Sequence, residues 1–227
     1  MKLINVKVRR WGSNSLEQVL SRVLRDHGPG LVCGGYARWA LLPAPFKPFQ
    51  DIDFFPFSKE GEAEIHAILQ EHGATLKRES KHAVTFQGEV GISEVPDPIE
   101  LQVIRFDRFP GQNAQEILNQ FSVSLQQAAL ISPSEGLISH LCVEDDQAER
   151  VRLVYEEGAP GPRQFSALLK YQARGYKADY KEFLAYCDAT EEGPVDPDDF
   201  WNGYDHRVLD EEYAKSLSHN GVHAKRY

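Results

Sequence analysis

The chain has 227 residues, with 34 acidic and 25 basic side chains that give a formal net charge of -9. A length of this order fits one compact domain, or one domain with a small appendage. A protein that wraps nucleic acid nonspecifically depends on excess Lys and Arg, because each phosphate contact releases a counterion. The charge therefore argues against that class of protein, and any nucleic-acid partner would need a local basic surface.

Cysteine usage and the apolar segments point to a cytoplasmic protein. Cys33, Cys142 and Cys187 have no metal-ligand spacing, and an odd number fits poorly with a secreted disulfide framework. The N-terminal residues contain no apolar signal region, and no stretch is apolar enough to span a membrane. We therefore expect reduced, buried thiols, a cytoplasmic location and no membrane partner.

Strands and helices alternate in the predicted elements as far as residue 145. Hydrophobic periodicity predicts strands over residues 3–8, 31–33, 51–57, 81–86, 99–106, 122–130 and 137–143. It predicts helices over 15–27, 36–42, 58–72 and 114–121, and then over 146–156, 162–175 and 179–187. The sequence thus predicts an α+β fold, with a core over 1–145 built on a mixed β-sheet with flanking helices. A helical C-terminal part would cover 146–227, and its tail over 191–227 receives no function.

Two short motifs carry the chemistry. Gly34 and Gly35 lie between a buried strand and a helix, where glycine lets the backbone approach a phosphate or simply make a tight turn. Asp51 and Asp53 are two residues apart on a strand, so both carboxylates project from one face. Neighbouring like charges repel unless a cation neutralises them, and carboxylate oxygens suit Mg²⁺ or Mn²⁺. Alone the acids are more typical of an exposed surface, whereas together with the glycines they indicate a metal and nucleotide site.

These motifs carry a family resemblance. The stretch LVCGGYARWALLPAPFKPFQDIDFF resembles the nucleotidyltransferase core shared by DNA polymerase β, poly(A) polymerases, CCA-adding enzymes and minimal nucleotidyltransferases. The positions that match its GGxxR…DxD pattern are Gly34, Gly35, Arg38, Asp51 and Asp53. More loosely, IELQVIRF, ILNQFSVSLQQAAL and LLKYQARGY resemble segments of phage- and bacteria-encoded nucleotidyltransferase-like proteins, which extends the resemblance over roughly residues 30–178. A CCA-adding enzyme is disfavoured, because Trp39 stands where those enzymes carry Asp and their long basic helical extension is missing.

The resemblance implies an α+β nucleotidyltransferase fold and metal-assisted transfer of a nucleoside monophosphate from an NTP, with ATP as the expected donor. Asp51 and Asp53 would hold Mg²⁺ (or Mn²⁺), while Gly34 and Gly35 would cradle the phosphates. Arg38 would reach a phosphate oxygen, although a surface ion pair is an equally good interpretation of this residue.

A later helix would also contact the nucleotide. Lys170 and Arg174 are four residues apart and share a helix face, and Tyr171 beside them would stack on a base. The alternative is a solvated basic face with a half-buried tyrosine, because Lys and Arg at helical spacing are common.

The third carboxylate of the family pattern is the open point. Glu100, on the predicted strand IELQV, is the best candidate, and an ordinary strand-edge acid is the alternative. The corresponding acid of the phage and bacterial relatives falls at Ser122, and a hydroxyl cannot replace a carboxylate's charge on Mg²⁺. Glu94 and Asp97 could substitute only if their loop folds inward.

The sequence therefore leaves two functions open. One is a small metal-dependent nucleotidyltransferase that acts on a nucleic-acid end, a protein side chain or a small molecule. The other is a catalytically inactive nucleotidyltransferase fold that binds a nucleotide or a protein partner as a regulator or assembly component. The acceptor, the preferred base and the oligomeric state are not determined by the sequence.

Overall fold

The structure is a computed structural model that describes residues 1–12, 14–89, 98–154 and 162–179, with the side chains of 162–165 left out. A large β-sheet lies at its centre. The strands of this sheet are β1 (Leu3–Lys7), β2 (Gly30–Cys33), β3 (Asp51–Pro56), β4 (Thr75–Glu79), β5 (Ala83–Gly88), β6 (Ile99–Ile104), β7 (Ala128–Leu130) and β8 (Glu135–Ser139). The helices are α1 (Asn14–Val23), α2 (Gly35–Leu41), α3 (Lys59–Glu71), α4 (Ala114–Asn119), α5 (His140–Gln147) and α6 (Pro162–Ala173). Two short parallel strands, β9 (Arg150–Arg152) and β10 (Lys177–Asp179), form a second sheet.

The strand order of the large sheet is β1-β8-β7-β2-β3-β6-β5-β4. Within this sheet every neighbouring pair is antiparallel except β3 and β6, which run parallel. Their register sets Asp51 opposite Glu100 and Asp53 opposite Gln102. Since the side chains of a strand alternate between its two faces, these four residues share one face of the sheet.

The opposite face of the same two strands forms part of the core. Ile52, Phe54 and Val103 have no solvent exposure, and Leu101 is 5% exposed. Alternation between buried apolar and partly exposed polar residues therefore fixes which side chains of β3 and β6 reach solvent. A one-residue slip would exchange the two sets, so hydrophobic burial holds the carboxylates in place.

A second, smaller hydrophobic cluster lies beside the main core. Its buried members are Val123, Leu125, Val151, Leu153, Leu168, Tyr171 and Tyr176. They come from the segment after α4, from β9, from α6 and from the residues that follow α6. This cluster anchors α6 to the rest of the protein.

The α+β class predicted from the sequence, with a mixed sheet and flanking helices, is confirmed. Three strands were not predicted from the sequence. All five residues of β4 are exposed, so it shows no apolar alternation. The other two, β9 and β10, have only three residues each. The strand predicted over 122–130 is a 3₁₀ turn at Ser124–Gln126 followed by the short strand β7.

Two predictions near residue 145 were wrong. The strand predicted over 137–143 ends at Ser139, whose hydroxyl caps α5 by accepting a hydrogen bond from the Cys142 amide at 3.0 Å. The helix predicted over 146–156 ends early, because Glu149 takes a φ of 54° and β9 follows it. The predicted boundary at 145/146 falls inside α5, and the two-part division stays a prediction.

The remaining C-terminal prediction was a helix over 179–187. Asp179 ends β10, and residues 180–187 lie outside the described part of the chain. Among the described residues, no helix is long and apolar enough to cross a membrane.

Candidate functional site

The acid face is the group of four side chains that β3 and β6 present together: Asp51, Asp53, Glu100 and Gln102. The amide of Gln102 lies between two of the carboxylates. Its Nε2 donates to Asp51 Oδ2 and to Glu100 Oε2, both at 3.4 Å. The parallel register therefore brings the third acid predicted from the sequence to the two aspartates.

The two aspartates lie side by side, and among the described residues no basic side chain forms an ion pair with either of them. Burial raises the pKa of Asp53 well above its ordinary value of 3.8, and repulsion from Asp51 raises it further. Lys170 and Arg174 oppose this shift from a distance. The pair is thus strained electrostatically in the absence of a cation.

The turn predicted as a phosphate cradle lies directly beside Asp53. Gly34 takes φ 78° and ψ -139°, a conformation that side-chain-bearing residues rarely adopt. Its amide donates to the Ala128 carbonyl at 2.9 Å, which ties the turn to β7. A Cβ built on Gly34 would lie 3.5 Å from Asp53 Oδ2. Any side chain at position 34 would therefore touch this carboxylate, whereas glycine leaves that space open.

Glu100 differs from the aspartates because basic residues contact it. Lys77 Nζ lies 2.8 Å from Glu100 Oε1, and an Arg78 guanidinium nitrogen lies 3.3 Å from Oε2. Across residues 1–12, 14–89, 98–154 and 162–179, no three His, Cys, Asp or Glu side chains are grouped as a ready metal site. Both oxygens of the candidate third ligand are thus already engaged.

Three further positions bear on the third acid: Ser122, where the acid of the phage and bacterial relatives falls, and the loop acids Glu94 and Asp97. Ser122 precedes the 3₁₀ turn before β7, and its carbonyl accepts a hydrogen bond from the Val154 amide at 2.8 Å. Glu94 and Asp97 lie outside the described residues.

The buried joint is the group Arg38, Asp146 and Tyr176, which connects α2, α5 and the segment between α6 and β10. Arg38 is 2% exposed and its guanidinium donates to Asp146 Oδ1 at 2.5 Å and to the Tyr176 hydroxyl. The other oxygen of Asp146 accepts from the Phe46 amide at 3.0 Å. Burial alone would lower the Arg38 pKa, but Tyr176, Tyr171 and Asp146 raise it overall. Arg38 thus has internal partners in this structure.

The residues predicted to contact the nucleotide, Lys170 and Tyr171 in α6 and Arg174 just after it, lie near the acid face. The Arg174 guanidinium donates to the Gln50 side chain, next to Asp51 in the chain, and lies 5.5 Å from the centre of the Tyr171 ring. Lys170 is exposed, while Tyr171 is 4% exposed and burial raises its pKa to about 12. Lys170 and Arg174 are therefore available as positive charges, and Tyr171 packs beneath one of them.

Five residues that shape this region carry no role in the sequence analysis: Lys77, Arg78, Gln102, Asp146 and Tyr176. Only Gln102 has a readable signal, because it lies two residues after Glu100 on the same strand and must share its face. The partners of Arg38 are 108 and 138 residues away in sequence. Contacts over such separations follow from the tertiary fold and leave no local pattern.

Comparison with known proteins finds likeness in structure. No protein-family model matches the chain, and no curated protein matches it in sequence. The fold matches a solved "tRNA-processing enzyme (apo form I)" with a TM-score of 0.51 and 14% identity, over 82% of this chain and 51% of that one. A "CCA-adding enzyme apo form I" matches at 0.47 and 13%, over 78% and 42%. A "tRNA nucleotidyltransferase complexed with a primer tRNA and an incoming ATP analog" matches at 0.42 and 15%, over 80% and 58%.

The first of these likenesses carries weight. At 14% identity and a TM-score of 0.51, it shows a shared fold. The chain spans about half the length of that structure. The other two scores are too low to add to the argument.

Proposed function

We propose that this protein is a metal-dependent nucleotidyltransferase that moves a nucleoside monophosphate from an NTP, with ATP as the expected donor, to an acceptor hydroxyl. The observation that carries the proposal is the pair Asp51 and Asp53, which share one face of the sheet without a direct ion pair among the described residues, with Asp53 beside the Gly34 turn. The fold shared with a solved tRNA-processing enzyme supports it.

The two aspartates fit a Mg²⁺ or Mn²⁺ ion. Their oxygens share one face, they have no ion pair among the described residues, and their mutual repulsion contributes to the raised pKa of Asp53. A divalent cation would relieve that repulsion, and hard carboxylate oxygens are the ligands it prefers. When bound, the metal would neutralise charge on the transferring phosphoryl group as a Lewis acid. Glu100 is the candidate for a third ligand.

The residues around the aspartates would bind the phosphates and hold the elements of the site together. Gly34 and Gly35, which have no side chains, would let a phosphate approach the backbone beside the acids. Lys170 and Arg174 supply positive charge that attracts the triphosphate to the same place. Tyr171 and Arg38 are buried, and we assign them to holding α6 over the acid face.

Transfer of label tests the proposal. The full chain is incubated with Mn²⁺ or Mg²⁺ and each α-labelled NTP, together with a nucleic-acid strand, a protein or a small hydroxyl acceptor. We expect label to enter one acceptor class, and the Asp51→Asn/Asp53→Asn variant to abolish it. The control Asp26→Asn/Asp107→Asn removes the same charge from exposed positions and should leave transfer unchanged. Transfer that survives loss of Asp51 and Asp53 would contradict the assignment.

A catalytically inactive, nucleotide-binding protein is the second candidate. The engagement of both Glu100 oxygens by Lys77 and Arg78 favours it, because the third carboxylate is then not free for a metal. Binding of ATP with Mn²⁺, without transfer to any acceptor class, would support this second function over the first.

A further inference from the structure

An irregularity in β4 brings two consecutive basic residues to one carboxylate. Leu76 pairs with Phe86 and Arg78 pairs with Thr85, so Lys77 is an extra residue in the ladder. Neighbouring side chains of a regular strand point to opposite faces. A β-bulge removes that restriction and re-aims side chains, and bulges are common next to active sites. Here Lys77 and Arg78 both reach Glu100, at 2.8 and 3.3 Å.

The acid face is therefore divided into two unlike parts. Asp51 and Asp53 have no ion pair within the described residues, whereas Glu100 has two. Gln102 joins the parts through its 3.4 Å contacts to Asp51 Oδ2 and Glu100 Oε2. A metal bound at the aspartates would lie close to Glu100 but would compete with Lys77 and Arg78 for its oxygens.

Competition is possible because the ion pairs are open to water. The side chains of Lys77 and Arg78 are 43% and 61% exposed, and that of Glu100 is 29% exposed. Partly exposed ion pairs of this kind are weak, so a divalent cation that is already held by two carboxylates can displace them. The two basic residues would then lower the affinity for metal without preventing binding.

We propose that Lys77 and Arg78 are positioning residues that hold Glu100 in ion pairs and thereby weaken metal binding at the acid face, until the metal itself takes Glu100 as its third ligand. This inference rests on the proposed function, because it requires a metal at Asp51 and Asp53. It makes the bulged edge strand β4 a determinant of metal affinity, although β4 contributes no ligand.

The test is a Mn²⁺ titration of the full chain without nucleotide, in which free Mn²⁺ is measured by electron paramagnetic resonance. The Lys77→Gln/Arg78→Gln variant should bind Mn²⁺ on the order of tenfold more tightly than wild type, because a ligand is freed and two nearby positive charges are removed. The readout is metal affinity, which loss of a merely structural surface contact would not tighten.

A matched control separates the ion pairs from general charge. Lys81→Gln/Arg108→Gln makes the same charge change at exposed positions, one between β4 and β5 and the other in the 3₁₀ turn after β6. Lys81 lies six residues before Gln87, the strand partner of Glu100, which is about 20 Å of extended chain. That separation exceeds the Debye length of about 10 Å at 0.1 M salt. The affinity of the control variant for Mn²⁺ should therefore stay within about twofold of that of wild type.

A third variant identifies the ligand. Adding Glu100→Gln to Lys77→Gln/Arg78→Gln should remove the gain in affinity. The inference is overturned if the first variant binds no more tightly than wild type, if the control tightens equally, or if the gain survives without Glu100. If wild type binds Mn²⁺ in a way that depends on Asp51, but Lys77→Gln/Arg78→Gln binds it no more tightly, this inference is overturned and the proposed function is not. Absence of Mn²⁺ binding in every protein overturns the proposed function as well.

Discussion

The acid face and the buried joint both contain ionisable side chains, but they differ in how these side chains are paired. In the joint, the side chains of Arg38 and Asp146 are 3% and 1% exposed and each charge meets its partner. On the acid face, Asp51 and Asp53 lie together without an ion pair among the described residues. Compensated charge of the first kind holds elements together. Like charges of the second kind raise a pKa, and strongly perturbed pKa values mark candidate functional sites.

The joint should dominate stability. Asp146→Ala leaves the Arg38 guanidinium buried without its carboxylate, so we expect the free energy of unfolding to fall by about 3–5 kcal/mol. Urea denaturation followed by circular dichroism measures the change. The control is Glu71→Ala, which removes one partner of the exposed Arg22–Glu71 pair and should change little. Equal losses in the two variants would show that burial does not distinguish these ion pairs.

Substitution of Gly34 should lower both the stability of the protein and its affinity for ATP. Gly34→Ala forces a side chain into a positive-φ conformation and should cost about 1–3 kcal/mol. Gly73 has a φ of 84° and open space around it, so Gly73→Ala carries backbone strain without any contact to the site. We expect both variants to lose stability and only Gly34→Ala to weaken binding of ATP with Mn²⁺. Similar ATP affinities for the two variants would show that Gly34 does not take part in nucleotide binding.

The charge on Asp53 should destabilise the metal-free protein by a smaller amount. Because its pKa is raised in the folded state, folding is favoured by protonation, and the free energy of unfolding falls as the pH rises from about 4 through that raised pKa. Asp53→Asn removes this pH-dependent loss. The stability of the variant should exceed that of wild type at pH 7 by on the order of 1 kcal/mol, because burial and repulsion both penalise charged Asp53 and one pKa unit corresponds to about 1.4 kcal/mol.

Urea denaturation with a chelator, repeated from pH 4 to 7, checks the effect of Asp53. The two stability curves should converge at the acid end. A wild-type protein that is more stable than Asp53→Asn at pH 7, with no metal present, would mean that Asp53 has a compensating partner.

Much of the acid face could be predicted from the sequence because it follows from the spacing of residues within single strands. Asp51 and Asp53 share a face through strand alternation alone, and flanking apolar residues such as Ile52 fix the buried side. Glu100 and Gln102 follow the same rule on a second strand. Their register against the aspartates, however, depends on the parallel pairing of β3 and β6 across 49 residues of chain, which no local pattern encodes.

The environments of Arg38 and Glu100 could not be predicted for the same reason. Arg38 lies in a motif where a phosphate contact is the natural expectation, and its burial depends on Asp146 and Tyr176, far along the chain. The contacts of Glu100 depend on a bulge in β4, a strand without apolar alternation. Tertiary packing decides both environments.

The central claim is that Asp51 and Asp53 form a divalent metal site, and locating the metal tests it most directly. Crystals of the full chain grown with Mn²⁺ and ATP would be measured at a wavelength where manganese scatters anomalously. We expect an anomalous peak that lies at coordination distance from carboxylate oxygens of both Asp51 and Asp53. For a Mg²⁺-type site this distance is about 2.1 Å. Ordered ATP with no manganese between these two residues would contradict the claim.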